Sequence, residues 1–272
     1  MRVQNWKSKG TPMFMPVSIL LLAAGVVFAQ GDGFKPLTGP VPKAADGHPD
    51  LSGLWQRPYT PDMSATAGNG NQKADPSLPK DARNRAELPY TAWGKQQWDS
   101  YDAAKGDYTG ACLPFGWMRS INSPDPLYIM QDKRAVGFLF EQNSWFHLAY
   151  LDRTTHPDLT NYTRTWFGDT IAKWEGDTLV VDSVGFNGRT RLDTNGHPMS
   201  DALHLTERWT RTDLGHLTYE VTVDDPKTYT KPWKNTRVFI YRPDWQIIEY
   251  SCEENNKDFW ENRVRIPDFA RP

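Results

Sequence analysis

Trp174-Glu175-Gly176-Asp177-Thr178-Leu179-Val180-Val181-Asp182-Ser183-Val184-Gly185-Phe186 reads as a tight turn feeding a β-strand. Gly176 supplies the positive φ that such a turn needs, and 178–184 is rich in β-branched and apolar residues that suit a pleated surface. One carboxylate, Asp182, stands among those apolar neighbours. A buried carboxylate is costly unless it is paired or hydrogen-bonded. Asp182 therefore belongs either to a polar network that holds the fold or to a site.

Outward from this hairpin the pattern is β from residue 126 onward. Segments 127–131, 135–141 and 145–152 read as strands between Asp-Lys-Arg and Asn-Ser turns, and 162–167, 170–174 and 178–184 continue the series. Segments 203–212 and 217–224 pair across Asp213-Leu214-Gly215, and 236–242 and 245–252 across Pro243-Asp244. Short strands in hairpins, without helical crossovers, predict a mostly β fold: an antiparallel up-and-down, lipocalin-like or calycin-like β-barrel with a short N-terminal helix and long loops. Closure removes exposed edges. A two-sheet sandwich is the alternative; a propeller lacks the internal repeat it needs.

Upstream, Leu51-Ser52-Gly53-Leu54-Trp55 reads as a first strand, and polar residues 61–88 as a surface excursion. Pro89-Tyr90-Thr91 opens a helix to about Lys105, with Thr91 as N-cap, Gly106 as stop, and Trp93, Trp98 and Tyr101 as buried contacts. The chain divides into a signal peptide (1–29), an extended arm (30–50) and a single barrel domain (51–272), in which 61–125 is a loop-and-helix excursion.

The leader assignment rests on Lys7 and Lys9, an apolar run over 17–27, and the small residue ending Val27-Phe28-Ala29, with cleavage after Ala29. That run is too short to span a bilayer, which takes about 20 residues. The mature chain is thus expected in the periplasm or outside the cell, with no integral membrane segment. Losing the leader removes three basic residues and no acidic one, taking the net charge from −2 to about −5. With no basic run or basic-aromatic stripe left, the composition argues against nucleic acid and anionic membrane surfaces as partners. Oligomeric state has no signal in the sequence. In an oxidising compartment Cys112 and Cys252 favour a disulfide, which would close a loop of about 140 residues and contribute on the order of 4–5 kcal/mol. Two free thiols, one of them catalytic, are the alternative.

The Trp174–Asp182 run, followed by Gly185-Phe186-Asn187 and Leu192-Asp193, resembles a large family of secreted bacterial proteins of unassigned function. So do Trp93-Gly94-Lys95, Cys112-Leu113-Pro114 with Gly116 and Arg119, and Leu203-His204 with Glu207-Arg208. Asp225-Pro226 with Tyr229 and Pro232-Trp233, and Glu249-Tyr250, Cys252 and Glu254-Asn255-Asn256, complete the likeness over roughly 49–256. The resemblance implies secretion and brings no established chemistry. The chain departs from the family pattern at Asp152-Arg153-Thr154-Thr155-His156-Pro157, where Asp-Gly-Arg-x-His-Pro is usual. It departs again at Gly168-Asp169-Thr170 and Pro198-Met199-Ser200, where histidines are usual. The opening strand at 51–55 is also similar to that of lipocalin-like barrels.

Three polar clusters carry the candidate chemistry: Asp152, Arg153 and His156; Asp177, Asp182, Asn187 and Asp193; and His204, Glu207 and Arg208. On an extended strand 204 and 208 share a face and 207 takes the other. Structural readings are a salt bridge of Asp182 with Arg208, turn chemistry at Asp177, a barrel-end partner for Glu207, and local hydrogen bonds at the Asp224-Asp225-Pro226 corner. The functional reading is a proton-transfer site at the barrel mouth, with Asp182, His204, Glu207, Asp152 and His156 catalytic and Trp174, Asn187, Asp193, Arg208 and Tyr250 on the ligand. Such a site suits a lyase, isomerase, cyclase or hydrolase that needs no cofactor. Glycoside hydrolysis would need two facing carboxylates, Asp182 with Glu207 or Asp193.

The runner-up is a non-catalytic carrier of a small molecule. The 12 Trp, 11 Tyr and 12 Phe serve either reading, by filling the barrel or by lining a pocket. No His-x-His or His-Glu-x-x-His pattern marks a metal, and only the Asp/Asn-rich 187–195 loop offers oxygen ligands to Ca²⁺. Neither a dinucleotide loop nor a Gly-x-Ser-x-Gly elbow occurs.

Overall fold

The structure is a computed structural model that describes residues 33–64, 88–102, 107–254, 256–261 and 263. Residues 1–29, expected as a signal peptide, most of the expected 61–88 excursion and the expected helix stop at Gly106 lie outside the described residues. The barrel lies within the compact unit Pro36–Pro272.

Nine strands close in sequence order: β1 (Gly53–Gln56), β2 (Leu127–Gln131), β3 (Ala135–Phe140), β4 (Phe146–Tyr150), β5 (Asp169–Glu175), β6 (Thr178–Val184), β7 (His204–Arg211), β8 (His216–Asp224) and β9 (Trp233–Tyr241). The expected barrel is present. Its departure from a pure up-and-down meander follows from parity. Direction alternates at each antiparallel neighbour, so an odd ring must contain a parallel contact. It falls at β4 and β5, in a single pairing, Tyr150 with Ile171, while β1 and β9 close antiparallel. A parallel pair needs a long crossover connection, and residues 151–168 supply it. Segment 162–167, expected as a strand, lies in this crossover and makes one bridge, Thr165 with Phe186.

The opening hairpin forms as its residues dictate. Glu175 pairs with Thr178 across Gly176-Asp177, and Gly176 has φ +61°. A positive φ at the first central position alone is the II′ pattern that matches strand twist. On β7 and β8 buried and partly exposed residues alternate strictly. Leu205, Glu207 and Trp209, and Leu217, Tyr219 and Val221, thereby point into the barrel.

Three helices accompany the barrel among the described residues: α1 (Ala92–Asp99), α2 (Trp117–Asn122) and α3 (Lys257–Trp260). Thr91 caps α1 as expected, accepting from Gly94 N at 3.0 Å. The helix ends at Asp99, short of residue 105, and Trp93 stands out of the core while Trp98 stacks on His197. Every residue of α2 is buried. It plugs the barrel, Trp117 meeting Phe138 edge-on at 5.0 Å, and Arg57 donates to the carbonyls of Ser120 and Asp125 at its C-terminal end. With Trp55, Phe140, Trp209, Tyr219, Arg237 and Phe239 also buried, side chains fill the interior.

No strand forms over 245–252. β9 already pairs with β1, so the closed ring has no edge to accept another strand. The Cys112–Cys252 disulfide ties the loop before α2 to this C-terminal segment, with Cα atoms 5.5 Å apart. Cys252 stands in a turn and not in the strand expected over 245–252. Among the described residues no helix is long and apolar enough to cross a membrane.

Candidate acid-base site on the barrel wall

Register places the site. Ile171 pairs with Asp182 and Asp169 with Val184, so Asp169 and Asp182 emerge on one face of the hairpin. Asp182 also pairs with Thr206, which puts His204 diagonally beside it on β7. Leu179, Val181 and Ser183 point inward, so this face is the outer wall of the barrel. The crossover that the parallel pair requires runs over the same wall and delivers Arg153 and His156.

The four groups form one chain of hydrogen bonds. His204 Nε2 donates to Asp182 at 2.9 and 3.0 Å. His156 contacts Asp182 through Nε2 at 2.8 Å and Asp169 through Nδ1 at 2.7 Å. His156 thus bridges the two carboxylates. Arg153 binds the far oxygen of Asp169 at 2.9 Å and lies 4.1 Å over the Tyr150 ring. Burial alone would raise the Asp182 carboxyl, but the hydrogen bonds from His204 and His156 outweigh it and hold it below the ordinary aspartate value. The bond to Asp182 likewise holds the His204 imidazole above its ordinary value, against its partial burial. Next to this chain an open groove of ≈ 860 Å³ runs along the wall, lined in part by Asp182, Arg153, Lys173, Trp174 and Arg208. His48 of the N-terminal arm lines it too, stacked on Trp174 at 4.6 Å with planes 4° apart.

Of the five residues expected to be catalytic, the structure joins His156, Asp182 and His204. It places them on the outer wall and not in a barrel mouth. Asp152 stands apart in a surface pair with Arg134 at 2.9 Å. Glu207 is on the inside of the wall, 0 % exposed, and not at a barrel end. There it accepts from Trp117 Nε1 at 2.7 Å and from Tyr219, and burial pushes its carboxyl up to about 7. The sheet thus separates Asp182 from Glu207, so they cannot be the two facing carboxylates of a glycosidase.

Nor does Arg208 pair with Asp182; it pairs with Glu175 at 2.9 Å, beside the groove that Trp174 also lines. Asn187 accepts from Arg189 N in a different recess. Asp193 is fully buried and takes four donors: Met63 N, Gly196 N, His197 N and His197 Nδ1. With Asp62 and His197 it forms the one grouping of metal-ligand type among the described residues, yet those donors already occupy its carboxylate. Tyr250 is on the exposed C-terminal segment, away from this wall.

No family model matches the chain, and neither does a curated protein or a solved structure. The site therefore rests on its own geometry. Two members escaped the sequence reading, Asp169 and His48. Asp169 was accessible in principle: a two-residue turn at 176–177 sets the register that places 169 and 182 on one face. His48 had no such signal, because it approaches from a non-repetitive arm.

Proposed function

We propose that the chain is an exported small-molecule enzyme that moves a proton at this wall without a cofactor, as a lyase or isomerase of an aromatic, hydrophobic or glycosidic ring compound. The observation that carries the reading is the Asp169–His156–Asp182–His204 chain ending on an imidazole 43 % exposed. Asp182 fixes the tautomer with the proton on Nε2, and Nδ1 of His204 has no partner among the described residues. Neutral His204 is then a base at Nδ1, and its protonated form an acid. Hydrolysis of a glycoside has less support, since among the described residues no second free carboxylate faces Asp182. A carrier with its ligand inside the barrel has the filled interior against it.

A panel of isomerisable and β-eliminating ring compounds tests this with the parent and His204→Gln. Turnover by the parent that falls about 10²–10⁴-fold in His204→Gln, with melting lowered by only about 1–4 °C, is expected. Absence of turnover, or equal turnover in both, rejects the acid-base role. Export rests on the leader pattern and on the disulfide; protein isolated from its host should begin at Gln30. Kinship with the secreted family is likewise proposed from the motifs, two of which contribute the paired cysteines.

A further inference from the structure

We propose a second binding site, separate from the acid-base groove, for a ring-bearing organic acid. It is an open recess of ≈ 800 Å³ between α1, the crossover, the turn after β6 and the corner after β8. Two indoles line it. Trp93 is 42 % exposed although it stands on a helix fixed in place: Thr91 Oγ1 bonds the Lys227 carbonyl at 2.7 Å. A Cβ on Gly94 would come within 2.1 Å of the Thr228 carbonyl oxygen, so only glycine lets α1 lie this close to the corner. Trp166, from the crossover, stacks on Tyr108. The helix that carries Trp93 and the ring of Trp166 are thus held in place while both indoles line the recess, the arrangement by which an aromatic face receives a flat ligand or the face of a sugar.

Charge selects among ring compounds. The lining carries Arg164, Arg189 and Lys227 against Asp201 alone, a local excess of two positive charges on a chain whose net charge is −2. Asp201 is already engaged by Lys227 at 2.5 Å and Arg164 at 4.0 Å. The Arg189 guanidinium has no partner among the described residues. Its backbone is nonetheless anchored, Arg189 N donating to Asn187 Oδ1 at 3.0 Å. A carboxylate takes the planar guanidinium in a two-point bond while the attached ring lies on an indole. A sugar acid and an aromatic acid share this chemistry.

Calorimetric titration of the full chain with glucuronate, 4-hydroxybenzoate, glucose and benzyl alcohol tests the assignment. At least one acid should bind about tenfold or more tighter than its neutral counterpart, and its identity tells a sugar source from an aromatic one. Arg189→Gln should lose that preference and Trp93→Ala should weaken both members of the pair, with melting curves unchanged because both side chains reach solvent. Asp182→Asn should bind like the parent. Equal affinity for acids and neutral compounds, no binding at millimolar ligand, or full affinity in Arg189→Gln overturns the proposal. Loss in Asp182→Asn with retention in Arg189→Gln also overturns it, by moving the ligand to the other groove. None of these outcomes depends on turnover.

Discussion

Asp182 and Glu207 are separated by one thickness of sheet and obey opposite electrostatics. Asp182 is ionised and bonded to two imidazoles, so Asp182→Asn leaves His156 and His204 competing for a neutral amide. A loss of about 1–3 kcal/mol in urea unfolding at pH 6 is expected. The Asp182–His204 contribution has a defined window. It is lost as pH falls through the lowered Asp182 value, below 3.8, and as pH rises through the raised His204 value, above 6.5. Solvent screening limits it to about 0.5–1 kcal/mol. Glu207 runs the other way. Its carboxyl, raised by burial to about 7, keeps its proton in the folded state where the unfolded chain has released it. Stability therefore falls between about pH 4.5 and 7, by about 3 kcal/mol. Buried His147, lowered by burial to about 4, loses a similar amount as pH falls from 6.5, because only the unfolded chain then takes up the proton. Glu207→Gln keeps partners for Trp117 and Tyr219 without a charge. It should remove the Glu207 share of the decline between about pH 4.5 and 7 and leave both the smaller His204 loss above 6.5 and the His147 loss on the acid side; identical pH profiles of urea midpoint for variant and parent would reject this account of the core.

At the scale of elements, the crossover and α2 do work that strands cannot. The crossover exists because β4 and β5 are parallel, and its hydrogen bonds to the wall through Arg153 and His156 fasten it where the ladder has a single pairing. Beyond β9 the chain is held by side chains, Glu141 accepting from Ile248 N at 3.1 Å and Asn256 donating to the Gly110 carbonyl at 3.2 Å, and by the disulfide. Closing a loop with a sequence separation of 140 residues constrains the unfolded chain by about 5 kcal/mol on the entropic model. In Cys112→Ser with Cys252→Ser the C-terminal segment should detach before the barrel opens. Limited proteolysis should then cut within 245–254 while barrel melting falls by less than that figure. Unchanged protease resistance would show that the side-chain contacts suffice.

For the whole molecule, closure concentrates stability unevenly. β7, β8 and β9 pair along their full lengths, whereas the β4 and β5 seam has one pairing. Hydrogen exchange should therefore split a single strand: β5 amides facing β4 exchange well before those facing β6. Uniform protection across β5 would mean that the crossover seals the seam. Barrel, hairpins, the Thr91 cap and the cysteine pair were legible in the chain because each depends on alternation, turn chemistry or residue type. β7 announced its faces, with His204, Thr206 and Arg208 against Leu205, Glu207 and Trp209. β6 did not: Leu179, Val180 and Val181 are all apolar, so period two leaves the side of Asp182 open until Val181 is seen to pair with Glu207 on the inside. Whether 245–252 adds a strand depends on what occupies the edge of β9, and that is β1, from the far end of the domain. The landing of His156 on Asp182 depends on the path of a crossover that parity demands and no local pattern records. Local periodicity writes strands and turns into the sequence; closure, wall side and the meeting of distant side chains arise only when the ring shuts, because they are set by pairings between residues remote along the chain.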